Sequence, residues 1–361
     1  MTHPGPSSLA GRQRDGVAGQ DETLWTLEAW RGLAAWLVVY AHLHPLAGLD
    51  LPLLRFAFTG VDLFFVLSGF VFAPYLFGRP VQVRAFALRR FFRIYPAYLL
   101  ALGIYLLMKW QEGGPLEYVW QHLVFAHLQS REMTFYYNPA FWSLPSEVEY
   151  YLLLPLLAAL TGGRPGRFAA LVAGALLLRL AIGHASDAEA GNRAFVWLHH
   201  LPGMGLEFLL GACAWRVAPL LRGAAVRLGL LAAGLAGWLA LAALFAAQGD
   251  AGLNAGLLRG QVSWLAALCF ATMVAATALP RGAASQRTVW FANWAGRLSY
   301  GTYLLHIAAL RVVEPHAARL GPALAMLTAC ALTLAGAWLL YKLWEDPWRR
   351  FGRNLAMRFP Q

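Results

Sequence analysis

Apolar runs of roughly 20 residues recur along almost the whole chain, and no other feature constrains the fold as much. The run "LGLLAAGLAGWLALAALFAA" (228–247) has no polar face. A helix in water needs one, so the pattern predicts an all-α integral membrane protein. Composition agrees. Of 361 residues, 59% are hydrophobic and 13% charged, and the mean hydropathy is +0.51. That charged share is about half of what a soluble domain carries, which argues against a large water-soluble helical core.

About ten transmembrane helices are expected, at 24–47, 57–77, 88–108, 142–160, 166–184, 195–215, 228–247, 257–279, 298–318 and 323–343. With both termini cytoplasmic, 21 of the 29 Lys and Arg fall in cytoplasmic segments and seven in outer ones, while Arg179 lies inside a span. Such a bias is what membrane insertion produces. It accounts for the net charge of +11 without nucleic acid. Residues 1–20, rich in Gly, Pro and Ser, are expected to be a disordered cytoplasmic tail. Residues 21–350 then form one membrane domain and 351–361 a basic cytoplasmic tail. The segment 109–141, with "YVWQHLVFAHLQ", is too short and polar to span and reads as an interfacial or re-entrant roof. Cys213, Cys269 and Cys330 lie in apolar segments with no metal-like spacing, so neither a disulfide framework nor a metal site is expected.

An ionisable group in the bilayer costs roughly 2.5–3.5 kcal/mol, so it survives where it meets a cavity, a partner or a ligand. In "RGLAAWLVVYAH", Arg31 and His42 lie eleven residues apart, about 16 Å along a helix and on nearly the same face. His42 suits a general base; a structural histidine bonded to the next helix is the plain alternative. Snorkelling is the plain alternative for Arg31. In "TGVDLFFVLSGFVF", Asp62 and Ser68 are candidate substrate contacts, Asp62 also being placed to cap a helix end. "RRFFRIYPAY" sets Arg90 and Arg93 on one helix face, where guanidinium forks suit phosphates. "NPAFWSLPSEVEYYLLLP" carries Glu147 and Glu149 into a span, and "GRLSYGTYLLHIAAL" offers Tyr303 and His306 at i, i+3.

Taken in order, "LEAWRGLAAWLVVYAH", "GVDLFFVLSGFVF", "RRFFRIYP", "FWSLPSEVEYYLLLPLL", "SYGTYLLH" and "WEDPWRRF" resemble the signatures of the acyltransferase 3 family. These are integral-membrane O-acyltransferases of bacterial glycans, lipids and antibiotics. The resemblance runs from about 24 to 350. It departs after Trp-Ser-Leu, where two adjacent glutamates are usual; here Val148 separates Glu147 from Glu149, and Pro145 replaces a small residue. The expected role passes to Glu147. A soluble esterase-like domain, which many members add after the last span, is not expected.

The resemblance implies a multi-pass protein of the bacterial cytoplasmic (inner) membrane. It implies acyl-CoA, most simply acetyl-CoA, as donor, with no metal. A hydroxyl of a glycan, glycolipid or small glycoside would be the acceptor. Arg31, Arg90 and Arg93 would hold the CoA phosphates. His42 would act as base, or carry the acyl group itself, with Glu147 polarising it or positioning the acceptor. Asp62, Ser68, Tyr303 and His306 would meet the substrate. The rival reading is a transporter or flippase of an anionic or lipid-linked cargo, though no inverted repeat of broken helices is visible.

Overall fold

The computed structural model describes residues 9–48, 51, 55–185, 191–248, 260–279 and 284–359. Among them there are helices and connections but no strand. In chain order the α-helices are α1 (Leu9–Leu43), α2 (Gly60–Leu76), α3 (Val83–Gln111), α4 (Val119–Leu123) and α5 (Arg131–Phe135). They continue with α6 (Ser143–Thr161), α7 (Pro165–Ala185), α8 (Gly191–His199), α9 (Leu201–Val217) and α10 (Ala224–Gln248). The last are α11 (Val262–Thr277), α12 (Gln286–Val313), α13 (Ala317–Leu320), α14 (Pro322–Leu340) and α15 (Asp346–Ala356).

A helix of 16 residues or more overlaps each stretch expected to span. Five helical stretches are both long and apolar enough to cross a membrane: Ala57–Leu76, Val83–Gln111, Pro165–His184, Ala224–Ala247 and Pro322–Ala356. Helix α1 reaches back to Leu9, into the segment expected as a tail, and residues 1–8 lie outside the described residues. Several helix ends follow local chemistry. Gly162 takes a left-handed φ of 53° and stops α6, a conformation glycine adopts at no steric cost. Prolines sit at the first positions of α9 and α14, where the missing N–H has no helical partner anyway.

Helix α2 is central, packing against α1, α6, α9 and α11. Its contact with α9 is set by two glycines. A Cβ on Gly69 would collide with the Phe208 carbonyl, and one on Gly211 with the Val66 carbonyl. Small residues let helix backbones touch where lipid supplies no hydrophobic drive. Gly211→Ala is therefore expected to lower the thermal unfolding temperature in detergent, at a cost of about 1–3 kcal/mol for overpacking. Gly174→Ala, which meets nothing within 4 Å, should leave it unchanged or higher.

The connection between α3 and α6 folds back onto the bundle. Tyr98 of α3 donates to the His122 carbonyl at 2.8 Å and Tyr95 to that of Leu123 at 3.0 Å. Asn138 donates to Leu304 O at 3.2 Å, and Arg311 of α12 to Tyr137 O at 2.8 Å. Within it, Tyr136 and Tyr137 donate to the carbonyls of Pro115 and Glu117. The expected single roofing helix is instead two five-residue helices, α4 and α5. Polar residues at His122, His127 and Thr134 are spent on burial and hydrogen bonds, so no amphipathic surface helix forms.

Candidate active site

Helices α1, α2, α3, α6 and α12 line a partly open cavity of about 200 Å³. Its wall carries Arg31, Ser68, Arg90, Arg93, Glu147 and Tyr303, six of the nine residues singled out from the sequence. Arg31 pairs with Glu28 at 3.2 Å. Arg90 lies over the Phe72 ring, 5.0 Å from its centre, and its buried Nε has no hydrogen-bond partner among the described residues. Neither Arg90 nor Arg93 pairs with a carboxylate there. Glu28 and Glu147 share the wall, but neither bonds Arg90 or Arg93, so two guanidinium groups remain to meet an anion in the cavity.

The remaining wall is polar but internally bonded. Glu147 accepts from Ser68 Oγ at 3.3 Å and from the Tyr151 hydroxyl. Tyr303 donates to the Ala140 carbonyl at 2.5 Å and accepts from Ser143 Oγ at 2.7 Å. The phenol is thus held between α6 and the turn before it.

His42 and His306 stand together, their ring centres 5.0 Å apart. Tyr303 links them to the cavity wall, its ring centre 6.1 Å from that of His306. His42 Nδ1 lies 2.9 Å from the Val38 carbonyl and 3.3 Å from His306 Nε2. His306 Nδ1 lies 2.8 Å from Tyr303 O and 3.3 Å from Thr302 O. A carbonyl accepts only, so each Nδ1 must carry the proton. His42 Nε2 then holds a lone pair, and it makes no hydrogen bond to the described residues. That is the state required of a general base. Glu147, expected to polarise His42 or to position the acceptor, is bonded to Ser68 and Tyr151, and the ring beside His42 is His306.

Asp62 is not in the cavity wall. It lies beside Glu207 of α9 and Arg179 of α7, with Ser263 of α11 in reach. Asp62, Glu207 and Arg179 are 2%, 0% and 2% exposed. Arg179 donates to Gly203 O at 3.0 Å and Leu198 O at 3.4 Å. Neither Glu207 oxygen has a hydrogen-bond partner among the described residues. One guanidinium balancing two carboxyl groups reads as a structural charge cluster joining three helices. Glu207 was passed over in the sequence, and Arg179 was noted there only as a charge inside a span. Their signal was present, since each is an ionisable side chain within an apolar span. Glu149 also has a partner: it bonds the His200 ring and accepts from Leu201 N at 2.8 Å, closing the start of α9.

The folded-back connection holds a second histidine pair. The rings of His122 and His127 stack at 4.2 Å, 3° from parallel, both wholly buried. Burial pushes His122 down to about 4 and His127 down to about 3, from an ordinary 6.5. The opened segment therefore binds more protons than the closed one below pH 6.5. The pair's stabilisation is complete above that pH and declines as pH falls toward those lower values. At pH 5 the loss is about 2 kcal/mol for each ring. Hydrogen exchange over 119–137 should accelerate between pH 7 and 5, beyond its intrinsic pH dependence. His127→Gln should remove about half of that change.

The acyltransferase 3 family, described as an acyltransferase domain, matches residues 24–342. "Putative acetyltransferase ORF330" of Acidianus two-tailed virus is 34% identical over 137 residues, 37% of this chain and 41% of the viral protein. "Protein 2 in picA locus" of Rhizobium radiobacter is 39% identical over 82 residues, 22% of this chain and 41% of that protein. The chain thus spans about two fifths of the length of each of these relatives. No solved structure matches. The family match extends from the helix bearing Arg31 and His42 to the end of α14 and takes in every wall of the cavity, so the chain belongs to the acyltransferase 3 family.

Proposed function

We propose that the protein transfers an acyl group, in the simplest case acetyl, from acyl-CoA to a hydroxyl of a glycan, glycolipid or small glycoside. It does so from a bacterial cytoplasmic membrane, which it crosses ten times with both termini inside. The observation that carries this reading is the cavity, with Arg90 and Arg93 in its wall outside any ion pair among the described residues and the His42–His306 pair beside Tyr303. Arg31, Arg90 and Arg93 hold the CoA phosphates on the cytoplasmic side, and the thioester arm lies along the cavity past Ser68 and Glu147. His42 Nε2 takes the acceptor's O–H proton as the oxygen attacks the thioester carbonyl. The C–S bond then breaks, and the proton passes from His42 to the leaving sulfur, giving free CoA.

The test is transfer of labelled acetyl from acetyl-CoA to membrane glycan and glycolipid extracts. Arg90→Ala and Arg93→Ala should each raise KM for acetyl-CoA roughly tenfold, from about 1.5 kcal/mol for a charge-assisted contact, with kcat little changed. An unchanged KM in both would remove the arginines from donor binding.

A further inference from the structure

We propose that His306 is a positioning residue for His42, a neutral acceptor whose hydrogen bond strengthens only when His42 becomes charged. This rests on the acyl-transfer reading above. His306 is wholly buried and lies on α12, while His42 ends α1. Two carbonyls, Tyr303 O and Thr302 O, face its Nδ1 and fix the proton there. Its Nε2 is left as a lone pair, and that lone pair faces His42 Nδ1 at 3.3 Å.

In the resting state this contact is weak. Val38 O already accepts the same N–H at 2.9 Å, so His306 adds a long second branch. The position changes when the acceptor's proton arrives at His42 Nε2. The ring is then an imidazolium, and its Nδ1–H becomes a charge-assisted donor toward a nitrogen lone pair. An interaction that is stronger in the transition state than in the ground state accelerates the chemical step. When the tetrahedral intermediate collapses, the C–S bond breaks and the Nε2 proton leaves with sulfur. His42 returns to its first tautomer and His306 has neither gained nor lost a proton.

The geometry favours an acceptor over a proton carrier. A proton placed on His306 Nε2 would have no onward partner, because the other ring nitrogen is already committed to backbone carbonyls. A carboxylate in this place would add a buried charge needing its own counter-ion; a neutral ring orients without one.

The experiment measures kcat and KM for acetyl transfer by wild type, His42→Ala, His306→Ala and His306→Gln. Gln places an amide oxygen near the position of Nε2 and accepts a hydrogen bond, but carries no proton at neutral pH. His306→Ala should lose about 10–100-fold in kcat with KM for acetyl-CoA unchanged, and His306→Gln should recover to within about threefold of wild type. A folded His306→Ala with wild-type kcat overturns the proposal, and so does a folded His306→Gln as slow as His306→Ala. Absence of transfer by wild type with every short acyl-CoA tried defeats the acyl-transfer reading, and this proposal with it. Loss in His42→Ala alone leaves that reading standing and removes only His306. Should His306→Ala not fold, nitrogen NMR of ring-labelled wild type decides: Nδ1–H on both rings is expected, and Nε2–H on either overturns the assignment.

Discussion

His42→Ala should abolish acyl transfer, with a fall in kcat of about 10²–10⁴-fold, the usual contribution of a positioned general base. The Nε2 lone pair of His42 is free of hydrogen bonds to the described residues, and the ring meets His306, which Tyr303 joins to the cavity wall. Ala removes that lone pair but little of the fold, because His42 is partly exposed at the end of α1 and its ring bonds one carbonyl of its own helix. KM for acetyl-CoA should therefore hold, since the arginines proposed to meet the donor, Arg31, Arg90 and Arg93, line the cavity wall and His42 does not. The measurement is transfer of labelled acetyl at matched amounts of folded protein. Equal transfer by the variant would take His42 out of the chemistry.

Arg179→Met should have the largest effect on folding, at about 2–4 kcal/mol for leaving two buried carbonyls without their charged donor and removing the cation nearest Asp62 and Glu207. The guanidinium balances Asp62 and Glu207 and also caps the carbonyls of Gly203 and Leu198. Met matches its length and none of its charge. Two carboxyl groups then face one another in the bundle with no cation. The thermal unfolding temperature in detergent should fall sharply. Adding Glu207→Gln to Arg179→Met should restore part of it, because one buried carboxyl is removed. An unchanged midpoint in the single variant would show that the cluster has no structural weight.

Much of this was legible because membrane sequences write their structure in hydropathy. A long helix falls on each of the ten apolar stretches, the shortest being α11. The arginines and Glu147 were legible for a different reason. A charge in an apolar run draws notice, and Arg31, Arg90, Arg93 and Glu147 share one cavity wall. Which charge meets which was not legible. Asp62 precedes Ser68 on the same helix, yet Ser68 faces Glu147 while Asp62 faces Glu207. Six residues on a helix turn a side chain through about 240°, so neighbours in sequence point to different partners. The His42–His306 contact joins residues 264 apart, a distance over which periodicity carries no information. The connection between α3 and α6 misled for a local reason. Its polar residues bond main-chain carbonyls, so their spacing did not mark a wetted helix face.

Those bonds carry a consequence for how such a protein diversifies. Tyr95, Tyr98, Tyr136 and Tyr137 all end on carbonyl oxygens of the connection. A carbonyl is supplied by every residue type, so the anchorage does not depend on which side chains the connection displays. Its exposed positions are free to drift in sequence while the tether stays in place. The connection can then display a new surface beside the bundle, with the cavity and the histidine pair inherited intact.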